Sequence, residues 1–321
     1  MSAMWRRMIV YGCLIAIRCH AASAINTHID PDPTKFEDAF GQVVSMPAPP
    51  QRIISLSPNL TEILFALGTD RGRIVGVTRF CDYPPEVKGI TQVGGIIDPS
   101  VETIVSLRPD LVLVTRGNPT PAVEMLAAAH LPVFAVETQG DLSAVVEWME
   151  RLRALVRPDD AARGEATVRK ARESLRCLRE IGGGFPDDRR PSVYYYDPVS
   201  PEWTAGRGTH ISDAIALAGG RNAGDLSSTA WPRLSLETLL ETKPEVLLVA
   251  AVDGDTSAEA VGRVLRDLRD RPGWRDLPAV REGWVCIVPS DWLLRPGPRT
   301  FAAARRMGAC MHPDTRWSCD P

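Results

Sequence analysis

Residues 100–114 read SVETIVSLRPDLVLV, and residues 235–249 read SLETLLETKPEVLLV. The two align without a gap, with six of 15 positions identical, among them Ser100/Ser235, Glu102/Glu237, Thr103/Thr238 and Pro109/Pro244. Seven more are conservative, such as Arg108/Lys243 and Asp110/Glu245. Any helix-to-strand unit has roughly this outline, but a shared Ser-x-Glu-Thr and a shared basic-Pro-acidic triplet at one offset narrow the choice. A chain that writes this unit twice, 135 residues apart, builds two related lobes. A solenoid would repeat a shorter unit more often.

The surrounding pattern fits. In the first half, apolar strand-like runs at 52–57, 73–78, 110–115 and 131–137 alternate with helical segments. Ser100 is placed to cap the helix over 101–107, and Pro109 helps to stop it. In the second half, strand-like runs at 191–197, 245–251 and 284–290 alternate with helices over 211–220, 257–270 and 301–311. Alternation of this kind predicts α/β lobes with mostly parallel sheets. Between the halves, residues 141–156 form an amphipathic helix. Pro158-Asp159-Asp160 then restarts a longer charged helix that Gly182-Gly183-Gly184 ends. Its heptads are not sustained, so it reads as a connector between lobes rather than a coiled coil.

The N-terminus reads as a processing signal. Arg6 and Arg7 precede an apolar run over 8–17, too short to span a bilayer, and Ala22-Ser23-Ala24 offers an A-x-A cleavage site. Arg18 before Cys19 argues against a lipoprotein anchor. Cleavage is expected after Ala24, giving an exported, periplasmic protein. Removing Arg6, Arg7 and Arg18 leaves 34 basic against 40 acidic residues, so no basic stripe points to nucleic acid. The expected organisation is a signal peptide at 1–24, an irregular lead-in at 25–50 and an N-terminal α/β lobe at 51–140. A helical connector at 141–184, a C-terminal α/β lobe at 185–313 and a tail at 314–321 follow. Cys81, Cys177, Cys286, Cys310 and Cys319 remain after cleavage, an odd number in an oxidising compartment. Cys310–Cys319, closing a short tail loop, is the pair expected.

Catalytic signatures are missing. There is no G-x-S-x-G, no H-E-x-x-H and no Walker A lysine loop. Gly206-Arg207-Gly208 lacks the third glycine of a dinucleotide fingerprint, and three histidines deep in the chain are few for a zinc receptor. What does cluster is aromatic residues at strand ends and in loops: Phe80-Cys81-Asp82-Tyr83, Glu202-Trp203 and Asp291-Trp292 after strands, and Ala230-Trp231 before the repeated helix. Ligands of open α/β sheets sit beyond the carboxyl ends of strands. Flat, stiff rings there suit a bulky ligand, although any single ring could instead plug a core.

At these residues the chain resembles the periplasmic cobalamin-binding proteins of ABC importers, within the helical-backbone receptors for metal chelates. The resemblance runs from about residue 52 to 311. It is carried by RIISLSPNLTEILFALG, DYPPEV, VETIVSLRPDLVLV, WTAGRGTHISDAIALAGGRN, WPRLSLETLL and SDWLLRPGPR. It implies two Rossmann-like lobes joined by a single long α-helix, of the class III periplasmic binding protein type, with the ligand between them. The helical tether implies a largely preformed cleft. The resemblance also implies that Phe80, Trp203 and Trp231 pack on a corrinoid, that Asp291 faces it and that Arg295 lies nearby, with Asp82 keeping the motif. Glu102 and Glu237, one per lobe, would dock on the permease dimer of the importer. No catalysis, resident cofactor or protein-held metal is implied, and the protein is expected to act as a monomer. Ile96 and Thr115 depart from the aromatic residues of the family pattern. Two other readings stay open. One is an iron–siderophore or haem receptor using Arg79, Arg116 and Arg207. The other is an exported two-lobed enzyme with Asp291 and His210 as acid and base.

Overall fold

The computed structural model describes residues 34–319; the expected signal peptide and its cleavage site lie outside them. The chain begins with a short antiparallel pair, β1 (Lys35–Glu37) and β2 (Val43–Ser45). This hairpin stands where an irregular lead-in was expected. Its strands are too short to show a period, and one aspartate builds it. Asp38 accepts hydrogen bonds from the amides of Phe40 and Gln42, both at 2.8 Å, and from Ala135 at 3.1 Å.

Lobe 1 follows as β3 (Ile53–Ser55), α1 (Pro58–Ala66), β4 (Ile74–Val77), α2 (Val101–Ser106), β5 (Leu111–Thr115), α3 (Thr120–Ala128) and β6 (Val133–Val136). Next come α4 (Leu142–Val156) and α5 (Ala161–Gly183). Lobe 2 comprises β7 (Ser192–Tyr196), α6 (His210–Leu217), β8 (Arg221–Asn222), α7 (Leu236–Thr242), β9 (Val246–Ala251), α8 (Ala258–Asp270), α9 (Pro278–Glu282), β10 (Val285–Pro289), α10 (Ser290–Leu294) and α11 (Pro298–Met311). The sheets have strand orders β4-β3-β5-β6 and β10-β9-β7-β8, parallel throughout.

The central strands are apolar at nearly every position because both faces are covered, as parallel sheets require. Alternate residues go to different cores. Ile54, Val112 and Val114 enter a core private to lobe 1, and Tyr194, Tyr196, Leu247 and Val249 one private to lobe 2. Ile53, Leu111, Leu113, Val193, Tyr195, Val246 and Leu248 enter a single inner core that runs through α4, α5 and α11 and is shared by both lobes.

Helix α5 joins them physically. Asp160 caps it by accepting from the Arg163 amide at 2.8 Å. Near its start, a Cβ on Gly164 would lie 2.8 Å from the Leu67 carbonyl oxygen at the end of α1. Near its end, a Cβ on Gly182 would lie 2.1 Å from the Leu217 carbonyl oxygen at the end of α6. Only glycine permits both approaches. They are about 27 Å apart along the axis at the standard helical rise, so one rod touches both lobes.

The repeated passage has a common structure. Ser100 and Ser235 cap α2 and α7, accepting from the Thr103 amide at 3.3 Å and the Thr238 amide at 3.1 Å. Arg108 and Lys243 take the left-handed conformation with φ of 47° and 46°. Asp110 then accepts from the Arg52 amide at 2.8 Å, and Glu245 from the Ser192 amide at 2.7 Å. Each acid ties the start of β5 or β9 to the start of its neighbouring strand. The motif is a cap, a helix stop and a strand clamp, written once per lobe.

The expected Cys310–Cys319 pair is not formed. Cys310 lies on α11 beside β10 and bonds Cys286, while the tail crosses to α5, where Cys319 bonds Cys177. Proximity along the chain misled because α11 points Cys310 at the sheet. Trp317 carries the tail the other way, stacking with Phe185 at 6.0 Å between centroids. Cys81 is buried and free.

Candidate functional site

Parallel strands place all their carboxyl ends on one edge of each sheet, and the two lobes meet at those edges. From lobe 1 come the start of α1, directly after β3, and the loop after β4. From lobe 2 come α10, directly after β10, and the start of α11. Asn59 Nδ2 donates to the Pro296 carbonyl at 3.4 Å. Arg295 forks onto Asp82, with Nη2 to Oδ2 at 3.1 Å. Arg299 forks onto Glu62, with Nε to Oε1 at 2.8 Å and Nη2 to Oε2 at 2.6 Å. Its remaining Nη1 holds Asp291, and the Tyr83 ring covers the guanidinium face at 3.9 Å. Asp82, Asp291 and Arg295 are thus brought into one cross-lobe cluster with Glu62 and Arg299, which the motif reading did not place there.

Glu62 is only 3% exposed. Burial pushes its carboxyl above the ordinary range, and the hydrogen bond and charge of Arg299 oppose that shift. A signal for it existed in the sequence. Glu62 is the lone charge in the apolar run TEILFALG, and a charge buried in a core demands a partner. Asp82 has the opposite sign of shift, held below the usual range chiefly by its hydrogen bond to Arg295.

Each lobe also exposes aromatic rings. On lobe 1, Phe80 and Tyr83 are exposed, and the Arg79 guanidinium lies 4.8 Å from the Phe80 ring. On lobe 2, Trp203 and Trp231 are exposed. Their segments are laced together: Thr204 donates to the Pro232 carbonyl at 3.0 Å and Gly206 to that of Ala230 at 2.8 Å. Among the described residues no ring contact joins Phe80 to either tryptophan. Trp292 packs on the inner core instead. Thr115 is buried, bonded through its amide to Asn118, and Ile97, beside the half-buried Ile96, is exposed.

The alternative groups are otherwise engaged. His210 is buried, with Nε2 2.6 Å from the Leu293 carbonyl, and burial lowers its pKa. It lacks the access an acid or base for a substrate would need. Arg79 is paired with Asp98 at 2.9 Å, Arg116 with Glu137, and Arg207 donates to the Asp225 carbonyl at 3.3 Å. Glu102 and Glu237 lie away from this cluster, exposed in the first turns of α2 and α7. No described residue makes a hydrogen bond or ion pair with either side chain. Val105 and Leu240, one turn on, are exposed as well.

A model of the periplasmic binding protein family matches residues 53–292. The vitamin B12-binding protein of Vibrio parahaemolyticus serotype O3:K6 is 29% identical over 266 residues, covering 82% of this chain and 90% of its own. The solved periplasmic vitamin B12 binding protein BtuF of Vibrio cholerae superposes with a TM-score of 0.68 at 27% identity, over 82% of this chain and 97% of that one. The periplasmic heme-binding protein RhuT of Roseiflexus sp. RS-1 has a TM-score of 0.68 at 29% identity, over 82% and 98%.

The Asp82–Arg295 pair makes a pH prediction. Because the folded pKa of Asp82 is depressed, its stabilisation is present above the ordinary aspartate value of 3.8 and is lost as pH falls through the folded value. Its side chain is 68% exposed, so the pair contributes no more than about 1 kcal/mol at neutral pH. Asp82→Asn should lower stability at pH 7 by no more than about 1 kcal/mol and converge on the wild type as pH falls below about 4, which flattens the acid limb of the stability curve. Urea unfolding across that range measures this, and an unchanged acid limb would show that the pair contributes nothing.

Proposed function

Because the chain belongs to the periplasmic binding protein family, with that family's two-lobed class III fold, we propose that it captures cobalamin or a related corrinoid between its lobes for delivery to an ABC importer. The family binds solutes for transport and is not enzymatic; its members carry no resident cofactor, and a metal arrives inside the ligand. In this reading the protein works outside the cytoplasm, as a monomer, after removal of the leader.

Overall similarity does not choose between ligands, since the B12-binding and heme-binding structures superpose equally well. The observation that carries the choice is the charge of the cleft floor. Among the described residues, Glu62, Asp82 and Asp291 pair only with Arg295 and Arg299, an excess of one carboxylate. Such a floor accepts hydrogen bonds. The corrin periphery offers carboxamide N–H donors, whereas haem propionates and most siderophores bring anionic acceptors. Two of the three arginines available to an anion, Arg79 and Arg116, are already paired with carboxylates. Phe80, Trp203 and Trp231 supply apolar area for a large flat ligand.

The test is a pair of tryptophan-fluorescence titrations, with cyanocobalamin and with hemin, checked by calorimetry. Saturable one-to-one binding of cyanocobalamin is expected, weakened about tenfold by Trp203→Ala or Trp231→Ala. Preference for hemin would reject the corrinoid assignment.

The same reading gives the repeated glutamates a role. The Ser and Thr positions of the repeat, and the acids Asp110 and Glu245, are used within the lobes. Glu102 with Val105 and Glu237 with Leu240 are exposed at corresponding positions of the two copies. A carboxylate beside an aliphatic side chain, offered twice, suits a permease dimer that presents two like basic surfaces. Glu102→Ala combined with Glu237→Ala should leave cyanocobalamin affinity intact and reduce stimulation of the importer's ATPase in proteoliposomes. Normal stimulation by the double variant would sink the docking role.

A further inference from the structure

We propose that Arg299, clamped by the buried carboxylate of Glu62, is the positioning residue that aims Asp291 into the cleft, so that a ligand-facing charge on lobe 2 is set from lobe 1. The inference rests on the reading of Asp291 as a ligand contact.

Arg299 has no freedom left. Its Nε and Nη2 are committed to the two oxygens of Glu62 at 2.8 and 2.6 Å. Its face is covered by Tyr83 at 3.9 Å, and its side chain is 15% exposed. Rotating the guanidinium away would leave Glu62 charged, buried and alone, which is strongly unfavourable. The third arm, Nη1, therefore points in a fixed direction, and it holds Oδ2 of Asp291. Asp291 is 31% exposed, and its Oδ1 is left to meet a donor from the ligand. The segment between them is pinned a second time, through Asn59 to the Pro296 carbonyl at 3.4 Å. An arginine serving only to hold the lobes together would need the Glu62 fork alone. Here the same planar group spans a buried carboxylate on one lobe and a half-exposed carboxylate on the other, a geometry lysine cannot reproduce.

The deciding variant is Glu62→Leu with Arg299→Met. Replacing both members of a buried ion pair by apolar residues commonly leaves stability unchanged or raised. Asp291 meanwhile loses its anchor. The expected result is an unfolding midpoint at or above that of the wild type, with cyanocobalamin affinity lower by about tenfold or more, the scale of a lost charge-assisted hydrogen bond. Arg299→Lys is the companion, expected to fold, since it keeps a cation for Glu62, yet to lose affinity comparably, because a compact ammonium does not span both carboxylates in the fixed planar geometry of a guanidinium. Asp291→Asn separates this inference from the reading beneath it. If Asp291→Asn weakens binding while the folded double variant and Arg299→Lys bind as wild type, Arg299 is structural only and the inference is overturned. If Asp291→Asn itself binds cyanocobalamin normally, or the wild type binds none, the ligand reading has failed and the inference falls with it.

Discussion

The rest of the structure depends on the inner core that the two lobes share. Each parallel sheet sends alternate side chains to opposite faces. One face of each closes on its own helices, and the other joins a continuous apolar mass built on α4, α5 and α11. The lobes therefore cannot separate like beads on a string without exposing that mass to water. Helix α5 adds a rod whose ends approach the backbone of both lobes so closely that Gly164 and Gly182 admit no side chain. Opening and closing by a large hinge motion is opposed by the same apolar burial that folds the chain.

A stiff frame explains the chemistry of the cleft floor. Charged side chains at a mobile junction would be solvated and weakly paired. Here a carboxylate as buried as Glu62 is tolerated because a fixed arginine meets both of its oxygens. The cross-lobe cluster keeps a carboxylate in excess, and Phe80, Trp203 and Trp231 are exposed. Exposed rings cost free energy in an isolated protein, and a ligand that covers them recovers it. The arrangement suits a receptor that waits in nearly its bound shape.

Much of this was legible in the sequence. The long parallel strands, the capped helices α2 and α7 and the limits of α5 follow from apolar runs, Ser and Asp caps and glycine stops. The repeat predicted two related lobes, and its Ser, Thr, Pro and acidic positions proved to be a cap, a stop and a strand clamp. What escaped was set by tertiary contact. The β1–β2 hairpin rests on Asp38 reaching Ala135. The disulfides follow the faces of α11 and α5 rather than spacing along the chain. The pairing of Glu62 with Arg299 joins residues 237 positions apart, which no local pattern encodes. Glu62 nevertheless stood out as a charge in an apolar helix, and asking what would neutralise it would have led toward the cluster.

The claim that the shared core holds a preformed cleft is tested most directly by an inter-lobe distance in solution. Spin labels at Met125→Cys on α3 and Glu259→Cys on α8 would report it, since Cys81 is buried and the other four described cysteines are in disulfides. One narrow distance distribution is predicted, shifting by less than about 2 Å when cyanocobalamin is added. Two populations without ligand, or a larger shift on binding, would contradict the account.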